Sequence, residues 1–158
     1  MKNVLMVCLG NICRSPAAEG FFRHLIKEHR LPIDVDSAGT SDYHIGEAPD
    51  PRMQQVMLSR GIDISALRGR QVNAADFERF DHIYAMDGSN FAHLTSLAEQ
   101  CAPEHAHKVE LFLQTLHRDN RSEPEEVPDP YFGGQAGFEA CVDLIQRGAV
   151  KRIEQFKE

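Results

Sequence analysis

Asn3-Val4-Leu5-Met6-Val7-Cys8, with Leu9-Gly10-Asn11-Ile12-Cys13-Arg14-Ser15-Pro16 directly behind it, is the stretch that decides the architecture. A strand with one wet face alternates apolar and polar residues, whereas an unbroken apolar run suits a strand buried on both faces of a parallel sheet. The run therefore predicts a central strand over residues 3–8. Gly10 and Asn11 then mark a tight loop. Ser15-Pro16 reads as an N-cap followed by proline at the first helical position, with Ala18, Phe21, Phe22 and Leu25 recurring at helical spacing behind it.

Outward from this unit the same signals repeat. Residues 33–38 read as a second strand, followed by a loop through Asp50; Asp50-Pro51 then opens a helix that stops at Gly61. Residues 82–86 read as a third strand, 87–99 as a loop entering a helix, and 108–112 as a fourth strand. From Gly134 onward Phe138, Cys141, Val142, Ile145, Ala149 and Phe156 fall on one face of a long helix. Strands alternating with helices predict an α/β three-layer sandwich, a four-stranded parallel sheet flanked by helices, in a single domain over 1–158. Ligands of such sheets bind beyond the carboxyl ends of the strands, where the loop after Cys8 falls.

Composition narrows the function. At 158 residues the chain buries roughly 70 % of the surface its unfolded form exposes, enough for a full core without disulfide or metal staples. Four scattered cysteines do not make a disulfide framework, so reduced thiols and a cytoplasmic setting are expected. No apolar stretch approaches the roughly 18 residues of a membrane span, and no membrane partner is expected. A formal net charge of -7 argues against nucleic acid, which requires clustered Lys and Arg. An anion must therefore be held by a local device.

Cys8 and Arg14 supply one. Their C-x5-R spacing is weak evidence alone, since Cys141 and Arg147 share it inside an amphipathic helix without glycine. Around Cys8 the context is different: a buried strand delivers the thiol, and Gly10 and Asn11 tolerate the backbone turns that aim successive N–H groups inward. Those amides form an anion nest, and the following helix adds the positive end of its dipole. Arg14 can grip two phosphate oxygens with its planar fork, while the Ser15 hydroxyl can donate to the Cys8 sulfur. Such a field lowers a thiol from about 8.5 into the range of roughly 3.5 to 7.5, making Cys8 a nucleophile within a phosphate-binding loop. A fuller thiolate supplies only tens of fold, so most acceleration must come from amides and Arg14 holding a transferring phosphoryl group.

Expulsion of an alkoxide or phenoxide needs a proton donor opposite the nucleophile. Asp129, held between Pro128 and Pro130, suits a stiffly presented acid, although Asp-Pro pairs are also common turn punctuation. Tyr131, Phe132 and Tyr43 either line an apolar slot for a substrate ring or pack the loops. Ile12 projects from the cradle as part of the wall. Cys13 is either a small packing residue or a redox partner of Cys8, whose five-residue separation permits a disulfide if the backbone brings the Cα atoms within about 7 Å. His105-x-His107 reads as solvated loop, and the chain shows no metal-ligand spacing.

Val7-Cys-Leu-Gly-Asn-Ile-Cys-Arg-Ser-Pro16 resembles the signature of the low-molecular-weight protein tyrosine phosphatases. Asp36-Ser-Ala-Gly-Thr-Ser-Asp-Tyr-His-Ile-Gly46, Gly61-Ile-Asp-Ile-Ser65, Ala85-Met-Asp-Gly-Ser-Asn90 and Pro128-Asp-Pro-Tyr131 resemble its other landmarks in order. The resemblance implies a cofactor-free enzyme acting on phosphotyrosine-containing proteins or small aryl phosphates through a phosphocysteine; the sequence does not fix the oligomeric state, a monomer being favoured. It makes Cys8, Arg14 and Asp129 catalytic and Leu9, Gly10, Asn11, Ile12, Cys13 and Ser15 the substrate cradle. It further implies that Ser37 supports Asn11, that Cys8 and Cys13 form a reversible peroxide shield, and that Ile12, where threonine would point to phosphoarginine, favours tyrosine. Many relatives carry a histidine where this chain has Leu67, a departure in the network behind the loop. An arsenate reductase would need resolving cysteines that residues 83–91 lack, and a cysteine phosphocarrier would need neither Arg14 nor Asp129.

Overall fold

The structure, a computed structural model, describes residues 1–157. The apolar run forms strand β1 (Lys2–Cys8), and residues 4–8 are buried, as a strand with helices on both sides requires. Helix α1 (Arg14–His29) returns to β2 (Ile33–Gly39), and α2 (Pro51–Ser59) and α3 (Ala74–Arg79) lead to β3 (His82–Ala85). Helix α4 (Gly88–Cys101) and a 3-10 turn (Pro103–Lys108) precede β4 (Val109–Leu111); α5 (Gln114–Asp119) and α6 (Gly134–Lys157) close the chain. All pairings are parallel in the order β2-β1-β3-β4. The order reverses beside β1, so the crevice at the carboxyl ends of β1 and β3 is the switch point.

Alternation along the strands builds two cores. Val4, Met6 and Cys8 face one side, where α1, α2 and α6 contribute Phe22, Met57, Phe138 and Ile145. Leu5 and Val7 face the other, against Phe77 of α3 and Leu94 and Ala98 of α4. Phe22 meets Tyr84 and Phe112 at ring-centroid distances of 6.4 and 6.4 Å and so ties α1 to the sheet. Burial of one such side chain contributes about 1.5–3 kcal/mol.

The expected four parallel strands and two covering layers are present. Asp50 caps α2 by accepting from the Arg52 amide at 2.8 Å, and Gly61 takes a φ of 82° just past its end. Two boundaries differ. The cap of α1 is Cys13, without a side-chain cap bond, because the Ser15 hydroxyl is committed to the Cys8 sulfur and Asn11. Helix α4 starts directly at Gly88, where Asp87 caps it by accepting from the Asn90 amide at 2.8 Å. The short α3, α5 and 3-10 turn carry too few turns to display a period, and β4 is shorter than its apolar signal.

Gly39 shows how tightly the sheet edge meets the loop after β1. A Cβ there would stand 2.8 Å from the Leu9 carbonyl oxygen and 3.2 Å from the Asn11 nitrogen, both backbone atoms. Overpacking against backbone costs about 1–3 kcal/mol. Gly39→Ala should therefore lower Tm by roughly 3–10 °C, measured by calorimetry; an unchanged Tm would show that the loop yields freely.

Candidate active site

The loop after β1 is shaped from outside. The Cys8 and Leu9 carbonyls accept from the Thr40 and Ser41 amides at 2.9 and 3.0 Å, and the Ile12 carbonyl from the Asp50 amide at 2.8 Å. With these oxygens tied outward, the amides of Gly10, Ile12 and Cys13 bond to no protein acceptor among the described residues. Asn11 makes the turn at a φ of 58°, a left-handed conformation that asparagine tolerates better than most residues. Its amide donates to the Cys8 sulfur at 3.3 Å, and the Ser15 hydroxyl lies 3.0 Å from the same atom.

The Asn11 side chain holds this turn from behind. Its Nδ2 donates to Ser15 Oγ at 2.8 Å and Ser37 Oγ at 3.0 Å, while its Oδ1 accepts from the Arg70 amide at 3.0 Å. Ser37 in turn donates to Glu19 Oε1 at 2.6 Å, and Glu19 pairs with Arg23 at 2.7 Å. Burial raises the Glu19 carboxyl above its ordinary range, against the opposing pull of Ser37 and Arg23. Leu67 packs against the core.

Arg14 is buried and divided in its duties. Nη1 donates to Asp87 at 2.6 Å and to the Val127 carbonyl at 2.9 Å, which fixes the plane of the guanidinium. Nη2 lies 3.8 Å from the Asp129 carboxylate. Burial works against the charge, but Cys8, Asp87 and Asp129 outweigh it and hold the guanidinium above its ordinary range. Val127 also donates its amide to the Met86 carbonyl at 2.8 Å, and the Glu126 carboxylate accepts from the Gly88 amide at the start of α4. The acid loop is thereby fastened to the end of β3 just before Asp129, whose own side chain accepts from the Tyr131 amide at 3.1 Å and is 48 % exposed.

Cys8, Leu9, Gly10, Ile12, Cys13, Arg14, Asp129, Tyr43, Tyr131 and Phe132 line one pocket of about 190 Å³. Asn11 and Ser15 stand behind its wall rather than on it. Tyr43 is 71 % and Phe132 97 % exposed, so the aromatic residues make an open collar rather than a closed sleeve. Burial, followed by Asp50 and Cys8, pushes the Cys13 thiol well above its ordinary range. Among the described residues no His, Cys, Asp and Glu group has metal-site geometry, and no helix is long and apolar enough to cross a membrane.

The structure brings Cys8, Arg14 and Asp129, the residues singled out in the sequence, to one pocket, and adds four neighbours to which the sequence reading gave no role. Asp87 lay inside a quoted landmark without a role. Glu19 could have been found as an acid one turn beyond Ser15 on an otherwise apolar helix face. Arg70 acts through a backbone amide and so leaves no side-chain signature. His44 lines the pocket beside Gly10, with Nδ1 2.8 Å from Glu47, and lay unremarked in the loop after β2.

The family model described as low molecular weight phosphotyrosine protein phosphatase matches residues 3–158. The low molecular weight protein-tyrosine-phosphatase YfkJ of Bacillus subtilis is 39 % identical, with 100 % of this chain and 97 % of that protein covered. A protein tyrosine phosphatase from Entamoeba histolytica superposes with a TM-score of 0.90 at 36 % identity, covering 99 % of this chain and 97 % of the other. A Drosophila arginine phosphatase does so with a TM-score of 0.90 at 36 % identity, covering 100 % and 99 %. The chain belongs to the low molecular weight phosphotyrosine protein phosphatase family.

Proposed function

We propose that residues 1–158 act as one phosphatase domain that hydrolyses phosphotyrosine and small aryl phosphates through a phosphocysteine on Cys8. The observation that carries this is the convergence of three groups on one pocket: the Cys8 sulfur with two donors aimed at it, the anchored Arg14, and the Asp129 carboxyl 3.8 Å beyond. In the first step the Cys8 thiolate attacks phosphorus in line, the P–O bond to the aryl oxygen breaks, and Asp129 gives its proton to the departing phenoxide. Loop amides and Arg14 hold the three equatorial oxygens, whose charge they are positioned to meet. In the second step Asp129 takes a proton from water, the water oxygen attacks phosphorus, and the P–S bond breaks with Ser15 donating to the leaving sulfur.

Phosphotyrosine is favoured over phosphoserine by reach, since the nucleophile is 2 % exposed and lies below the aromatic collar. Ile12 on the pocket wall, rather than threonine, favours it over phosphoarginine despite the similarity to the Drosophila arginine phosphatase. Arg14 and Asp129 together disfavour a phosphocarrier, which would keep its phosphate rather than release it to water. We further propose that Cys13 shields Cys8: peroxide converts the Cys8 thiolate to sulfenic acid, and the Cys13 thiol displaces water to form a disulfide. Its raised titration makes that closure slow at neutral pH.

Cys8→Ser should abolish turnover of an aryl phosphate while inorganic phosphate still binds by calorimetry; wild-type turnover in this variant removes the nucleophile from the scheme. Asp129→Ala should lower kcat by about 10²–10⁴-fold for poor leaving groups and far less for good ones. A leaving-group series with unchanged slope would take the acid role away from Asp129. After prolonged treatment with excess peroxide, dithiothreitol should restore the wild-type enzyme but not Cys13→Ser, whose Cys8 passes on to sulfinic acid, and mass mapping of the wild type should find Cys8 linked to Cys13. Equal recovery of both proteins would sink the shield.

A further inference from the structure

Lys2 and His82 begin β1 and β3 at the end of the sheet opposite Cys8, Lys2 about 20 Å and His82 about 13 Å from the thiol by strand rise. Between these strand ends, α5 and α6 lies a second cavity of about 360 Å³, larger than the 190 Å³ over Cys8 and within the range of small-molecule sites.

Arg152 of α6 lines it while only 2 % exposed. Its guanidinium sits 4.2 Å from the Tyr84 ring centroid, with Nε and Nη2 donating to the Phe112 and Leu111 carbonyls at 3.0 and 2.7 Å. Nη1 is poorly met: Gln155 Oε1 is 3.4 Å away and the Glu110 carboxylate 3.7 Å away. A buried cation is costly unless a close counter-charge meets it, and here Glu110, the one acid among the described residues lining the cavity, keeps its distance. Lys2 and Arg118, both exposed, add two more cations, and neither pairs with a carboxylate among the described residues. Three basic side chains therefore surround one acid.

A second, independent sign comes from α5. Thr115 lines the same cavity, is 6 % exposed, and carries a buried hydroxyl without a hydrogen-bond partner. Buried polar atoms are nearly always satisfied, so an orphan at a cavity wall points to a polar ligand group. The remaining walls are rings: His82 meets Phe156 edge-to-face at 5.1 Å, and Tyr84 lies 5.9 Å from His82. Burial pushes the Tyr84 phenol up to about 12, so it stays a donor at neutral pH.

We propose that this cavity binds a small organic anion, a flat ring carrying one carboxylate or phosphate, with the anionic group between Arg152 and the two exposed cations and the ring against Tyr84 and Phe156. The test is an amide NMR titration of the full chain with the Cys8 cradle filled by micromolar orthovanadate. Salicylate supplies the ring carboxylate and adenosine 5′-monophosphate the ring phosphate. Support is saturable shifts at Thr115, Arg118 and Phe156 with either probe, weakened about tenfold in Lys2→Ala/Arg118→Ala. Both substitutions are at exposed positions, so the fold persists. Saturation by one probe alone identifies which anion the site takes. The proposal fails if neither probe shifts these amides up to about 10 mM, if the double variant binds equally well, or if acetate and inorganic phosphate saturate them as readily as the ringed anions.

Discussion

Everything at the site depends on the carbonyls of the loop after β1 being turned away from it. A peptide unit that points its oxygen outward must point its N–H the other way, so the bonds from Thr40, Ser41 and Asp50 create the inward-facing amides. Those three donors lie on the segment that runs from the end of β2 to the start of α2. The parallel register of β1 and β2, which sets Cys8 opposite Gly39, is what brings the two segments together. The absence of a side chain at Gly39 lets them touch. A loop so constrained is preorganised, and under the proposed function this preorganisation is the physical source of transition-state stabilisation.

Arg14 extends the same logic across the switch point. One nitrogen of the guanidinium is spent on Asp87, the cap of α4 just past β3, and on Val127, in the loop that leads to Asp129. That contact joins the loop after β1 to the segment carrying Asp129, so Cys8 and Asp129 share a mechanical reference. A lysine could carry the charge but not bridge both partners with a rigid plane.

What could be read from the sequence divides along the range of the interactions. The apolar run of β1, the Gly10-Asn11 turn and the Cys8–Arg14 spacing are local, and each encodes its own geometry within a few residues. The proline-flanked Asp129 is local too. Asp87, Glu19, Arg70 and His44 are not, because their importance follows from strand order and from helix α1 crossing β2, which no window of sequence contains. The Ser15 boundary was misread for a related reason. Local rules assign a serine before proline to a helix cap, while the tertiary structure hands its hydroxyl to a sulfur seven residues away. Leu67 was the departure that left the network in doubt, and Arg70 and Arg23 complete it by other means.

The floor and rim of the pocket obey different physics, and this bears on selectivity. Cys8 and Arg14, braced from behind by Asn11 and Ser15, are buried and multiply bonded, so under the proposed function the floor is an anion site with little freedom to adapt. Tyr43, Tyr131 and Phe132 expose large apolar surface and are held chiefly by their loops, Tyr131 also by a stacked Arg52 at 5.1 Å from its ring centroid. Under the proposed function, a ring against this collar adds binding energy only when the phosphate is seated, because the arm of a tyrosine spans both zones at once. Discrimination under the proposed function therefore comes from the distance between a rigid anion site and an adaptable apolar one, rather than from any hydrogen bond to the ring.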